Sequence, residues 1–168
     1  MTTLQLSGQG VNLYADPAES VFVDAAGQRR QLSRPYRNNL LYWDSFTRMD
    51  DAYRRGGQLR AFEAVFSPLD PDGQPAEILD RKTGLVNHAV AEQWKAYDIR
   101  QVLQSDWERL RPRLRGKVHL LVGSEDTFFL EEAVDDLLQG LPEFNDIAEV
   151  EIREGQTHMN TLTWSYLI

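Results

Sequence analysis

The sequence predicts an α/β fold, a parallel sheet with helices packed around it. Three stretches carry that reading. Residues 118–122, Val118-His119-Leu120-Leu121-Val122, are nearly all apolar, as in a strand covered on both faces of a parallel sheet. Next comes a helical stripe of Phe129, Leu130, Ala133, Val134, Leu137 and Leu138, with Glu131, Glu132, Asp135 and Asp136 on the opposite face. Residues 148–153 then alternate, Ala148-Glu149-Val150-Glu151-Ile152-Arg153, as a half-exposed strand near a sheet edge does. Strand, helix, strand in that order implies a right-handed crossover between parallel neighbours.

The first third reads as irregular and rich in turns. Residues 4–6 and 11–14 are short extended pieces around Ser7-Gly8-Gln9-Gly10, and Val21-Phe22-Val23 is a candidate strand between Asp16-Pro17 and Ala25-Ala26-Gly27. Over 40–53 the set Tyr42, Phe46, Met49 and Tyr53 recurs at helical spacing, and Arg54-Arg55-Gly56-Gly57 ends the segment. Residues 59–66 form a mixed apolar run, and 67–75, with three prolines and Gly73, read as a loop. Helices are expected over 86–96, through Val86, Val90 and Trp94, and over 99–110, through Ile99, Val102, Leu103, Trp107 and Leu110. Pro112 and Gly116 are expected to close the second. Gly140 and Pro142 stop the helix that follows 118–122, and a loop holding His158 leads to the apolar terminus 164–168.

Composition narrows the function. The 168 residues suit one α/β domain, 1–168, with 1–58 as its irregular and partly helical N-terminal region. Hydrophobic residues are 42% of the chain and charged residues 26%, an ordinary globular mixture. No run approaches the roughly 18 apolar residues of a membrane span. The first residues lack the basic flank and apolar stretch of a secretory signal, so a soluble cytoplasmic protein is the default expectation. Cysteine is absent, which removes disulfides, thiolate catalysis and cysteine-held metals. A net charge of −8 makes a poor grip for phosphate backbones, so no nucleic acid partner is expected.

Asp126 and His158 are the sharpest pair. Asp126 lies just beyond the end of the 118–122 strand, where open α/β sheets place functional groups. His158 lies 32 residues on, in the loop after the next strand. Neighbouring parallel strands end side by side, so both loops emerge at one rim. A carboxylate there can accept the imidazole Nδ1–H, fix the tautomer and steady the imidazolium formed in proton transfer. The order Asp, then His, is that of the last two members of an α/β-hydrolase triad. Asp126 or Thr127 could equally cap the helix that follows. No Gly-x-Ser-x-Gly elbow occurs, and Ser7 and Ser124 both lack its context.

Other signals favour structural readings. Asp70-Pro71-Asp72-Gly73 has the opening of a calcium loop, but Leu79 stands where its bidentate acid belongs, so a plain turn is expected. His88 and Glu92 share a helix face without a third metal ligand, which suits a solvated pair better than a metal enzyme. His119 is expected as a hydrogen-bonded core histidine. No cofactor is implied.

From Phe62 onward the chain resembles the C-terminal part of a family of bacterial esterases in the α/β-hydrolase superfamily. The likeness is carried by Phe62-Glu63-Ala64-Val65-Phe66-Ser67-Pro68, Asp72-Gly73 with Pro75, Asp80 with Thr83-Gly84, Val90-Ala91, Trp94, Tyr97-Asp98, Trp107, Leu110, Pro112 and Leu114. Its clearest block is Gly116-Lys117-Val118-His119 with Gly123, Asp126 and Leu130, and Asn12-Leu13-Tyr14-Ala15-Asp16 adds to it. The resemblance implies that 59–168 is the hydrolase-like C-terminal part, acting on an ester or related acyl bond, with Asp126 as the acid and His158 as the base. After His158, Met159-Asn160-Thr161 departs from the family's Trp- and Gly-containing text. Members are longer, and their nucleophile-bearing half precedes the point where this chain starts. The implied partner is that upstream half, in a longer parent chain or as a separate polypeptide, and a small-molecule ester is the substrate. Alone, the chain is then expected to be inactive. The alternative is a non-catalytic interaction domain whose exposed strand edge recruits a partner or a second copy.

Overall fold

A computed structural model describes residues 11–15, 19–35, 37, 39–53 and 56–162. The pieces expected at 4–6 and 164–168, together with Ser7, Asp16-Pro17 and Arg54-Arg55, lie outside the described residues. Within them the chain forms six α-helices and one small parallel sheet of two strands. No helix among the described residues is long and apolar enough to cross a membrane.

In the N-terminal region Val21 and Phe22 are buried, yet no strand forms there. Isolated antiparallel bridges stand in its place: Ser20 to Leu85, Val23 to Arg29 and Gln31 to Tyr42. Turns such as the one Asp24 closes on Ala26 and Gln28 interrupt the pairing before a ladder can extend.

Helix α1, Trp43–Ala52, arises where helical spacing predicts it, but its buried face is Trp43, Thr47 and Asp50. Met49 and Tyr53, expected inward, are exposed. The inward polar groups are tolerated because each has a partner. Thr47 Oγ1 donates to the Trp43 carbonyl at 2.9 Å. Asp50 accepts from the backbone N–H groups of Leu59, at 3.1 Å, and Arg60, at 3.2 Å. Asp50 therefore caps the following helix, α2 (Gln58–Phe66), from a distance. Its entry residue is Gly57, because a Cβ there would lie 1.8 Å from the Asp50 carboxyl oxygen.

Helix α3, His88–Trp94, is capped by Asn87 and runs into a 3-10 turn, Lys95–Tyr97. Where one helix is expected over 99–110 there are two, α4 (Ile99–Ser105) and α5 (Trp107–Leu114). The break is at Asp106, which leaves helical geometry at φ −133°, ψ 30° and binds Arg109 with its side chain. Pro112 lies inside α5 and does not end it. Asp98 caps α4 and also accepts the Tyr14 hydroxyl proton at 2.9 Å. Burial, reinforced by that bond, pushes the Tyr14 phenol well above its ordinary range.

Strands β1 (Val118–Gly123) and β2 (Ala148–Arg153) pair in parallel, from Val118 opposite Ala148 to Gly123 opposite Arg153. Helix α6, Leu130–Gly140, and a 3-10 turn, Pro142–Asp146, connect them as the crossover reading requires. One face of the sheet packs against a hydrophobic cluster. Val118, Leu120, Ala148 and Val150 pack on a cluster of Leu103, Leu137, Leu141, Phe144 and Ile147. On the other face His119 and Glu149 meet at 2.8 Å with side chains 62% and 70% exposed. The expected core histidine is thus a surface cross-strand partner, and β1 is not buried on both faces. A larger cluster runs from Val11 and Leu13 through Trp43, Leu59 and Ile78 to Trp94, so α2 and α3 share their core with the N-terminal region.

Candidate active site

The rim at the C-terminal end of the sheet is assembled by backbone. Two loops leave β1 and β2 side by side and are tied together. Ser124 N–H donates to the Arg153 carbonyl, and Glu125 N–H to the Gln156 carbonyl, both at 2.9 Å. Gly155 N–H donates to Ser124 Oγ at 2.9 Å. Gly123 makes this closeness feasible, since a Cβ there would lie 2.0 Å from the Gln156 carbonyl oxygen.

Beyond Gly123 the chain turns through Asp126, whose N–H reaches back to the Gly123 carbonyl at 3.2 Å. The Asp126 side chain is 3% exposed and uses its two oxygens differently. Oδ1 accepts from the N–H of Phe128, in the turn before the helix that starts at Leu130, at 2.8 Å and from the N–H of Leu130 at the longer 3.5 Å. Oδ2 lies 2.9 Å from Nδ1 of His158. Neither Asp126 nor Thr127 is the N-cap of α6, which is Phe129; Oδ1 instead holds the turn before the helix while Oδ2 faces the imidazole.

His158 sits in a turn held by its neighbours. Thr157 N–H donates to Asn160 Oδ1 at 2.6 Å, and Thr161 Oγ1 donates to the Thr157 carbonyl at 2.6 Å. Arg153 Nη1 donates to the Thr161 carbonyl at 2.8 Å, fastening the turn to the end of β2. The imidazole is 43% exposed and meets the Phe128 ring edge-on at 5.2 Å. With Asp126 ionised, Nδ1 carries the proton and Nε2, which has no partner among the described residues, is the acceptor.

The N-terminal region supplies a clamp that sequence reasoning missed. Arg34 N–H donates to the Thr127 carbonyl at 2.8 Å. Its guanidinium donates to the Asp126 carbonyl and to Glu131 Oε1, and lies over the Phe129 ring at 4.3 Å. Glu131, expected on the exposed face of α6, is buried by this contact. Phe129 occupies left-handed backbone, φ 59° and ψ 31°, which costs a non-glycine residue on the order of 1 kcal/mol. Strain of this kind persists where the surroundings over-determine the turn. The only sequence signal was Arg34 itself, and nothing in its spacing from 126–131 marks the contact.

Beside the pair opens a cleft of about 260 Å³. The N-terminal segment contributes Ser33, Asn39, Leu40 and Leu41, the acid loop Thr127 and Phe128, and the histidine loop Met159.

The remaining candidates stand apart from this rim. Asp70 Oδ1 accepts from the N–H of Asp72 at 2.9 Å and of Gln74 at 2.8 Å, the plain turn expected. His88 Nε2 lies 3.7 Å from Glu92, which Lys95 also approaches at 2.7 Å. Among the described residues no group of three His, Asp or Glu could hold a metal ion. A larger cleft of about 730 Å³ contains Asp51, Arg60, Glu63 and Glu77. These charges cross-pair among themselves and with Arg81. Burial raises the Glu63 carboxyl pKa, against the opposing pull of the Ile78 amide and Arg81.

Comparison with protein-family models, with curated proteins and with solved structures finds no match to this chain.

Proposed function

We propose that Asp126 and His158 are the acid–base half of a site that hydrolyses an ester or related acyl bond. In this reading the chain is the C-terminal part of an esterase-like α/β-hydrolase, and its serine comes from the upstream half, in the same parent chain or a separate polypeptide. The single observation behind it is the 2.9 Å contact between Nδ1 and Oδ2 beyond the ends of two parallel strands, with no partner for Nε2 among the described residues.

Each residue has one task. Nε2 takes the proton from the attacking hydroxyl and returns it to the leaving alcohol. Asp126 holds the ring with Nδ1 protonated and offsets the imidazolium charge. The Phe128 and Leu130 amides on Oδ1 hold the carboxylate in position. No serine among the described residues hydrogen-bonds to Nε2.

The test reads the ring directly. Long-range nitrogen–proton NMR of the histidine rings is expected to show neutral His158 as the Nδ1–H tautomer, and Asp126→Asn is expected to abolish that preference. An Nε2–H ring in the unmodified protein refutes the pairing. Activated short-chain esters should turn over at background with this chain. Turnover lost in His158→Ala would instead place a nucleophile within it.

A further inference from the structure

The cleft beside the imidazole has no role in the proton transfers above, yet it is built from one kind of surface. None of its seven lining residues is charged, and four are apolar: Leu40, Leu41, Phe128 and Met159. Phe128 is 42% and Met159 65% exposed, so apolar area stays in water at the cleft. The polar groups there are neutral, and the hydroxyls of Ser33 and Thr127 make no hydrogen bond among the described residues. At roughly 30 Å³ for each water-sized unit, 260 Å³ takes about nine non-hydrogen atoms.

We infer that this cleft is the substrate-binding subsite of the Asp126–His158 centre and that it takes a small uncharged apolar group, the size of a phenyl ring or short acyl chain, from the ester. The inference rests on the hydrolytic reading for its link to chemistry. Phe128 links the cleft to the pair, since its ring lines the cleft and stands T-shaped to the imidazole with 5.2 Å between centroids. A charged group entering the same space would lose its hydration and find no counter-ion on the lining.

Methyl and aromatic NMR of the full chain tests this with four probes of one shape. Benzyl alcohol represents the alcohol side of an ester and benzamide a neutral acyl side; benzoate and benzylamine are the charged counterparts. A neutral probe is expected to shift the Met159 methyl and Phe128 ring signals saturably, and the charged probes to bind at least about tenfold more weakly. Whichever neutral probe binds tighter assigns the side. Met159→Asp puts a charge in the cleft at an exposed position and should remove neutral-probe binding while the protein stays folded. No saturable shift, equal binding of neutral and charged probes, or undiminished binding in Met159→Asp would each overturn the subsite. The His158 tautomer, read in the same samples, separates the two claims. An intact tautomer without probe binding removes only the subsite, and binding without the tautomer removes only the hydrolytic reading.

Discussion

Replacing Gly123 with alanine tests how the rim is held together. The added Cβ would lie 2.0 Å from the Gln156 carbonyl oxygen, 2.5 Å from its carbonyl carbon and 2.7 Å from Thr161 Oγ1. Two of these three atoms are backbone, so no rotamer change relieves the clash. Restoring ordinary contact needs a separation of more than about 3 Å, and hence movement of the 156–161 loop by at least about 1 Å. The imidazole travels with that loop. A 2.9 Å hydrogen bond lengthened by that amount falls outside bonding range, so the Asp126–His158 contact should break. The Glu125 N–H bond to the same Gln156 carbonyl is strained too. Overpacking of this kind costs typically 1–3 kcal/mol. Urea unfolding should therefore show a lower midpoint at unchanged slope, and ring NMR should show loss of the Nδ1–H tautomer. A Gly123→Ala protein with the original midpoint and tautomer would show that the loops do not approach as described.

Two further outcomes are expected. Arg34→Ala strips a donor from the Asp126 carbonyl and leaves the buried Glu131 carboxylate without its cation; Glu131 Oε2 already has no partner among the described residues. Because the Arg34 side chain is itself one-third exposed, a loss of about 1–3 kcal/mol is expected in urea titration. Arg34→Lys should recover only part of it, having no planar fork, and full recovery would contradict the clamp. At Asp44 burial opposes ionisation, but the hydrogen bond and charge of Arg29, with the Ser45 amide and Arg48, hold the carboxyl below its ordinary value of 3.8. A depressed folded pKa stabilises above the unfolded value and is lost as pH falls through the folded one. Asp44→Asn should therefore cost about 0.5–1 kcal/mol at neutral pH and progressively less below pH 4. A penalty that grows on acidification would reverse that sign.

What the sequence revealed depended on whether the cause was local. The crossover β1–α6–β2 was legible because apolar run, amphipathic stripe and alternating strand each record burial in their own period. Asp126 and His158 were legible for the same reason: parallel neighbours bring their following loops to one end. The buried face of α1 was misjudged because Thr47 and Asp50 are inward polar residues whose partners lie in the backbone. His119 was misplaced because an apolar run cannot say how many faces of a strand are covered. The clamp from Arg34 to Glu131 spans 97 positions and leaves no periodic trace. Asp106 broke a helix whose apolar spacing continued unbroken across it.

The division of labour between the two oxygens of Asp126 separates what keeps each residue of the pair in place. Through Oδ1 the aspartate fixes the turn that leads into α6. The His158 ring bonds the other oxygen and leaves that turn alone. Exchanging the histidine should therefore unload one oxygen without disturbing the start of the helix, whereas exchanging the aspartate should disturb both.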